Sequence, residues 1–234
     1  MTRIHCAAAV ALAACLRAQT PGAPAVASKT LIDVAVEDAA APKVTVFHLP
    51  VPTGFTVGPH THAGPVFAYI LRGDIENQVE PEPVKTYRPG DFFHEPRMHV
   101  HRMLRNLSAT EPADLLIFQV GDMGKANPAI KTLLEEPLTI LANREARMTR
   151  LTVAPGGGSG PHKHPGPVFA YILKGEIENQ VDPDQPKMYR AGDVFYEPPL
   201  HVHRMLRNLS KTEPAELLIL QISEKGQPSV MKAE

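Results

Sequence analysis

The sequence predicts an all-β protein built from two similar units of mainly antiparallel strands. Residues from about 29 to 120 reappear from about 131 to 222 at an offset of 162 − 60 = 102 positions, and about seven positions in ten are identical from His60 to Gln119. Short apolar runs are separated by glycine and by many of the 24 prolines, which favours short strands over long helices. The connections are too short for the helical crossovers that parallel strands need. Each copy should therefore form a small sandwich or barrel.

Five strands are predicted in each copy from runs of β-branched and aromatic residues. In the first copy they cover residues 44–47, 65–71, 75–79, 91–94 and 115–120. In the second copy they cover residues 147–153, 167–173, 177–181, 193–196 and 217–222. A short helix of one or two turns is expected around residues 127–134, where it would join the copies.

The repeat divides the chain into a leader and spacer (1–28), a first domain (29–121), a linker (122–130) and a second domain (131–234). A positively charged start and an alanine-rich apolar stretch from Cys6 to Leu16, too short to span a bilayer, predict an exported, periplasmic protein. The residues that end at Cys15 also resemble a bacterial lipobox, which would give an N-terminal lipid anchor. A cytoplasmic location is the alternative if the leader is not functional.

The net charge of the chain argues against two classes of binding partner. A formal net charge of −1 offers no field that would attract nucleic acid or an anionic membrane. No membrane-spanning helix is expected. The expected partner is a small-molecule substrate or ligand, and both a monomer and a homo-oligomer remain open.

Histidines give the strongest functional signal. His60 and His62 are two residues apart, so in a strand both side chains point to the same face. His101 follows about forty residues later on another strand. Two imidazoles from one strand and a third from a neighbour suit a three-histidine metal site with open positions for water, oxygen or substrate. The pattern returns as His162, His164 and His203, which predicts up to two metal ions per chain.

Around these histidines the sequence resembles the cupin superfamily. The first cupin motif is matched by Gly54, His60, His62 and Leu71-Arg72-Gly73, and again by Gly156, His162, His164 and Leu173-Lys174-Gly175. The second is matched by Gly90-Asp91, Glu95-Pro96, His101 and Asn106, and again by Gly192-Asp193, Glu197-Pro198, His203 and Asn208. The resemblance covers nearly the whole mature chain and is that of a quercetinase-like bicupin. It implies two tandem jelly-roll barrels, each with a metal held by its three histidines.

One position departs from the cupin pattern. Many cupin enzymes carry a glutamate four residues after the second histidine, where this chain has Val66 and Val168. Three imidazoles alone carry no charge, so a divalent ion would keep its full charge and attract an anionic chelator. The missing carboxylate also removes the usual base, and the candidates to replace it are Asn77, Gln78 and Glu95 with their counterparts Asn179, Gln180 and Glu197. Strand alternation does not decide between Asn77 and Gln78, and Glu95 and Glu197 have the alternative role of capping a turn before proline.

Two further histidines, His99 and His201, share the strand alternation of the third histidine of each set. They are candidates for a fourth ligand or for a group that orients an imidazole from behind. A loop histidine without a role in the site is the simpler alternative.

Together these features predict a metal-dependent oxygenase of the dioxygenase type that acts on a small anionic chelating substrate. Iron is the expected ion, and manganese, nickel, copper and zinc are alternatives because imidazole suits all of them. A metal-dependent isomerase or lyase would use the same fold, and a non-catalytic protein that binds a metal or small ligand is the alternative from another class. Both histidine sets are intact, which favours an enzyme in which each barrel works separately.

Overall fold

The structure, a computed structural model, describes residues 26–36, 43–121, 131–138 and 143–233. The predicted leader up to residue 25, with Cys6 and Cys15, lies outside the described residues. The first ten strands are β1 (Val26–Val36), β2 (Lys43–Val51), β3 (Thr56–Val57), β4 (Val66–Arg72), β5 (Ile75–Val79), β6 (Lys85–Tyr87), β7 (Phe92–Glu95), β8 (His101–Asn106), β9 (Ala113–Val120) and β10 (Lys131–Pro137).

The second half repeats this order. Its strands are β11 (Arg144–Val153), β12 (Gly158–Ser159), β13 (His162–Lys163), β14 (Val168–Lys174), β15 (Glu176–Val181), β16 (Lys187–Arg190), β17 (Val194–Glu197), β18 (Val202–Asn208), β19 (Ala215–Glu224) and β20 (Met231–Lys232). The described part of the chain contains no helix, so the all-β prediction is confirmed. Within that part, no helix is long and apolar enough to cross a membrane.

Each half forms two antiparallel sheets. The first half has a five-stranded sheet in the order β10-β2-β9-β4-β7 and a four-stranded sheet in the order β3-β8-β5-β6. The second half has a five-stranded sheet in the order β1-β11-β19-β14-β17 and a sheet in the order β16-β15-β18-β13-β20, with β12 beside β18. Buried residues from both sheets of the first half, such as Val66, Ile75 and Leu104, share one hydrophobic core. The sheets therefore face each other, as in the predicted jelly-roll barrels.

The two halves exchange strands. Strand β1 pairs with β11 of the second half, from Val26 opposite Val153 to Val36 opposite Arg144. Strand β10 pairs with β2 of the first half, from Lys131 opposite His48. The sequence boundaries at residues 29 and 131 mark the repeat, but each five-stranded sheet is completed by a strand that the repeat assigns to the other copy.

Two expectations at the joints differ from the structure. The helix predicted around residues 127–134 is wrong for residues 131–134, which lie in β10, because pairing with β2 outweighs a weak local helix preference. Residues 127–130 lie outside the described residues. Strand β1 begins at Val26, within the segment predicted to be spacer, because it finds a pairing partner in β11.

A shared core joins the barrels. One cluster combines residues of the first half, including Phe67 and Phe118, with residues of the second half, including Met148, Phe169 and Leu220. Alternate residues of β4 point the other way, into the core of the first barrel. Both faces of β4 are thus buried, which explains why residues 66–70 form an unbroken apolar run.

Candidate metal centres

Three histidines converge at one end of the first barrel. His60 pairs with His101 through two main-chain hydrogen bonds of 3.0 and 2.8 Å, which bring the segment before β4 against the start of β8. The Nε2 atoms of His60 and His62 are 3.1 Å apart. One ligand atom from each of His60, His62 and His101 lies within 4.8 Å of the others, a spacing that could hold one metal ion.

The second barrel repeats this geometry. His162 lies opposite His203 in the pairing of β13 with β18, and the Nε2 atoms of His162 and His164 are 3.1 Å apart. The ligand atoms of His162, His164 and His203 also lie within 4.8 Å of one another. Two groups of the predicted composition are therefore present in the chain.

A buried glutamate contacts two histidines of each group. The Oε2 atom of Glu95 lies 3.0 Å from Nε2 of His62 and 3.3 Å from Nδ1 of His101. In the second barrel, Oε2 of Glu197 lies 3.2 Å from both Nε2 of His164 and Nδ1 of His203. Three imidazole nitrogens and one carboxylate oxygen thus point at one small volume in each barrel.

Strand register explains how the carboxylate reaches the histidines. Glu95 on β7 lies directly opposite Val66 on β4, and Glu197 on β17 lies opposite Val168 on β14. Cross-strand partners point to the same face of a sheet at a Cβ spacing of about 5 Å. The neighbouring strand therefore supplies a carboxylate beside the position that Val66 leaves without one.

Buried polar atoms in each group make no hydrogen bond of good geometry. In the described part of the chain these include Oε2 of Glu95, Nδ1 of His101, Oε2 of Glu197 and Nδ1 of His203. Burial without a partner is costly for such atoms, and a cation placed between them would compensate all of them at once. The donor set therefore fits a divalent transition metal.

A family model for the cupin domain matches the chain twice, at residues 47–118 and 149–221. The chain belongs to the cupin domain family. A search of curated proteins found no match. Many solved structures are similar to this bicupin in fold, and three proteins represent them. A structure concerned with the Mn(II) centres of Bacillus subtilis oxalate decarboxylase is 14% identical, with 88% of this chain and 78% of that chain covered and a TM-score of 0.58.

In the other two proteins, the match covers nearly the whole of the similar chain. AerE from Microcystis aeruginosa is 16% identical, with 83% of this chain and 99% of that chain covered and a TM-score of 0.58. A cupin 2 conserved barrel domain protein from Leptotrichia buccalis is 18% identical, with 88% and 92% covered and a TM-score of 0.51. At these identities the similarity concerns the fold.

Groups behind the histidines fix the orientation of the rings. Nε2 of His101 donates to Oδ1 of Asn77 at 2.6 Å and lies 3.1 Å from the carbonyl oxygen of Met103, so Nδ1 faces the site. Nδ1 of His60 donates to the carbonyl of Gly58 at 2.9 Å, so Nε2 faces the site. His203 and His162 make the equivalent bonds in the second barrel, to Asn179, Met205 and Gly160. Each of these four rings is held in the tautomer that offers a lone pair to a metal.

Burial and neighbouring charges shift several pKa values in these groups. Burial lowers the pKa of His101, and burial together with nearby His203 lowers the pKa of His162 to about 4, which keeps both rings neutral near pH 7. Burial acts to lower the pKa of His164, but the adjacent Glu197 carboxylate outweighs it and raises the pKa. Burial acts to raise the pKa of Glu197, yet His203 and His164 bring it down to about 2. Glu197 is therefore an anion at neutral pH, which suits a metal ligand better than a proton acceptor.

The structure shows which member of each Asn-Gln pair faces the barrel interior. Asn77 and Asn179 are the inward members of the Asn-Gln pairs, because β5 and β15 bury Ile75, Asn77 and their counterparts on the same face. Gln78 and Gln180 instead donate to the carbonyls of Glu82 and Asp184, at 3.3 and 3.0 Å, away from the histidines.

His99 and His201 are exposed and do not join the histidine groups. The Nδ1 atoms of His99 and His201 lie 3.0 and 3.1 Å from the carbonyls of Glu80 and Pro199. Strand alternation does not extend to His99, because β8 begins only at His101 and a turn precedes it. The motif asparagines also have a structural role: Nδ2 of Asn106 donates to the carbonyls of Val51 and Glu111 at 3.0 and 2.9 Å, which joins three segments of the barrel.

Proposed function

We propose that this cupin is a metal-dependent oxygenase in which each barrel holds one divalent ion through three histidines and one glutamate. The observation that carries the proposal is the position of Oε2 of Glu95, which lies within 3.3 Å of ring nitrogens of both His62 and His101. This oxygen and Nδ1 of His101 are buried and make no hydrogen bond of good geometry. Four protein ligands of this kind leave room for a small substrate and dioxygen on an ion that takes six. The proposed substrate is a small anionic chelator, such as a carboxylate, enolate or phenolate.

The glutamate changes the charge expected for the site. With one ionised carboxylate, a divalent ion and its ligands carry +2 − 1 = +1, instead of the full +2 expected for three imidazoles alone. A net positive charge in a partly buried site still attracts an anion. A ligand set that mixes imidazole with carboxylate suits iron and manganese, and we propose iron as the working ion. The Mn(II) centres of the similar oxalate decarboxylase make manganese the first alternative.

Each part of the site has a role that follows from its position. A bound redox-active ion would supply the electron transfer that lets an anionic substrate react with dioxygen. Asn77 holds the ring of His101 so that Nδ1 faces the site, and Gly58 does the same for Nε2 of His60. The apolar side chain of Val66 lies beside Glu95 and keeps water from that side of the carboxylate.

A metal-dependent lyase is the second candidate. The same ligands and the same positive charge would bind a small dicarboxylate and polarise it without a change in oxidation state. Oxalate decarboxylase is one of the proteins to which this cupin is similar in fold. A bicupin that binds a metal or small ligand without catalysis is the third candidate.

The deciding experiment begins with metal analysis of the purified protein. Wild type is compared with His62→Ala, His164→Ala and the double variant, with His99→Ala as a matched control outside the histidine groups. We expect close to two ions per chain in wild type and His99→Ala, one in each single variant and none in the double variant. The loaded protein is then screened with small chelating acids for oxygen uptake and for release of carbon dioxide.

Each result selects one function. Oxygen uptake that is lost in the double variant supports the oxygenase. Carbon dioxide release without oxygen uptake would select the lyase. Full metal loading without turnover of any chelating acid would favour the binding protein. Failure to bind metal after reconstitution would remove the metal-dependent functions together.

A further inference from the structure

The chain after β19 contacts the second metal centre directly. The carbonyl oxygen of Ser229 accepts a hydrogen bond from Nδ1 of His164 at 2.7 Å. The same oxygen accepts a second bond from Nε2 of Gln221 at 3.0 Å, and the Ser229 hydroxyl accepts one from Nη1 of Arg147 at 2.5 Å. Two side chains of the barrel thus anchor the residue that holds His164.

The end of the chain also extends the sheet that carries His162. Strand β20 pairs with β13 in antiparallel register, with Lys232 opposite His162 and Met231 opposite Lys163. On its other side β13 pairs with β18, where His203 lies. The segment from residue 225 to residue 233, which we name the C-terminal strap, therefore contacts the strand or the side chain of two of the three histidines.

We propose that the C-terminal strap is a working part of the second metal centre and that Ser229 is a positioning residue for His164. A carbonyl that accepts from Nδ1 fixes the tautomer in which Nε2 is free to bind a metal, and it stops the ring from rotating away from Glu197. The proposal rests on the proposed function, because it assumes that His164 is a metal ligand.

The two histidine groups differ in exposure in the direction that the strap predicts. The side chain of His164 is 14% exposed, whereas that of His62 is 24% exposed. By the offset of 102, the counterpart of Ser229 is Asn127, which lies outside the described residues. The strap therefore makes the second centre more enclosed than the first and adds a hydrogen bond that holds His164.

The test measures the metal affinity of each centre by itself. His62→Ala leaves the second centre as the intact one, and His164→Ala leaves the first. In both backgrounds a stop codon after Glu224 removes the strap. The affinity for Co²⁺ is then measured by competition with a chelator, with the visible absorption of the protein-bound ion as the signal. Loss of an outer group that orients a ligand typically weakens metal binding by about tenfold to a hundredfold. We expect that loss in the His62→Ala background and an unchanged affinity in the His164→Ala background.

A milder variant keeps the test decisive if the truncated chain is less stable. Gln221→Ala retains the strap but removes one of its two anchors, and we expect a smaller loss in the same direction, again confined to the second centre. Thermal unfolding of each variant separates loss of metal affinity from loss of fold.

Two results would overturn the inference in different ways. An unchanged affinity of the second centre in both variants, or an equal loss at both centres, would overturn the role of the strap and leave the proposed function intact. Absence of Co²⁺ binding in the full-length chain in both backgrounds would overturn the proposed function, and the inference with it.

Discussion

Glu95 and Glu197 lie beside the positions where the cupin motif of this chain lacks a carboxylate. They lie opposite Val66 and Val168 on the neighbouring strands. Each barrel therefore has a carboxylate at the same end, but on β7 or β17 instead of β4 or β14. Both are nearly fully buried, at 4% and 3% exposure. A buried carboxylate needs a cation or several hydrogen bonds, which is why the role of a metal ligand fits better than that of a turn cap.

We predict that Glu95→Gln weakens metal binding at the first centre by at least about tenfold, because the amide keeps the size of the side chain and removes its charge. The measurement is a chelator competition in the His164→Ala background, where the first centre is the intact one. Gln78→Ala is the matched control, because Gln78 lies on the opposite face of β5 from Asn77 and should leave the affinity unchanged. Equal affinities for wild type and Glu95→Gln would exclude the carboxylate as a ligand.

His94 occupies an unfavourable position for a charged ring. It stacks on Phe67 with ring centroids 4.9 Å apart, and its Nε2 atom is buried with no hydrogen bond in the described part of the chain. Burial lowers its pKa from 6.5 to about 4. Between these two values the unfolded chain binds a proton that the folded chain does not, so stability falls as the pH drops from 6.5 to 4.

We predict that His94→Tyr reduces this acid sensitivity. Tyrosine is the residue at the equivalent position of the second copy, where Tyr196 packs against Phe169 at 5.2 Å. Urea unfolding at pH 7 and at pH 4.5 should show a drop in the free energy of unfolding that is about 1 to 2 kcal/mol smaller in the variant than in wild type. The exposed His201→Gln, in the second barrel, should behave like wild type, and an identical drop in all three proteins would contradict the assignment.

At the scale of elements, the turn between β7 and β8 connects Glu95 to His101 and is held against the histidines. The main-chain N–H of Met98 donates to the carbonyl of His62 at 3.0 Å, and Leu200 makes the same bond to His164 at 2.9 Å. Both residues have positive φ, at 61° and 63°, which L-residues rarely adopt. Both side chains are more than half exposed. The strain is therefore not offset by burial of the side chain, and it accompanies the bond that positions the second histidine.

We predict that Met98→Gly stabilises the protein by about 1 kcal/mol, because glycine adopts this backbone conformation without strain and little packing is lost. Leu200→Gly should act alike in the second barrel. Leu107→Gly is the control: Leu107 is also exposed and apolar, but its φ is not positive, so glycine there should destabilise by a comparable amount. Chemical denaturation measures all three, and destabilisation by Met98→Gly would show that the strain is absent.

At the scale of the whole molecule, exchange of β1 and β10 makes each barrel depend on the other half of the chain. Strand β10 pairs with the edge of β2. Residues Val44 and Val46 of β2 are fully buried in the core that joins the barrels. Strand β1 pairs with the edge of β11 in the same way. The repeat unit of the sequence and the hydrogen-bonded unit of the structure are therefore different segments.

We predict that a fragment of residues 43–138, which keeps β10, is more stable than a fragment of residues 29–121, which follows the sequence repeat. The second fragment carries most of β1 without its partner and leaves the edge of β2 open to aggregation. Circular dichroism during thermal unfolding and the soluble yield of each fragment provide the comparison. Equal stability would mean that the exchanged strands contribute little to the barrels.

Export remains a prediction of the sequence. The apolar segment from Cys6 to Leu16 lies outside the described residues, so the structure leaves this prediction as it stands.

The sequence by itself determined the repeated unit, the all-β class, most of the strands and both histidine sets. These features are local or come from the comparison of two copies: strand alternation places His60 and His62 on one face, and the unchanged histidines stand out among positions that differ. Glu95 could also be proposed as a site residue because it is the same in both copies.

Only the tertiary structure decided which of these residues meet. Register between β4 and β7 placed Glu95 opposite Val66, and the pairing of β5 with β8 turned Asn77 towards His101 and Gln78 away from it. The strand exchange and the C-terminal strap likewise depend on pairing between segments that are far apart in the chain. Such pairing is set by burial summed over a whole barrel, and a slip of one residue would reverse every side chain, so local sequence patterns do not determine it.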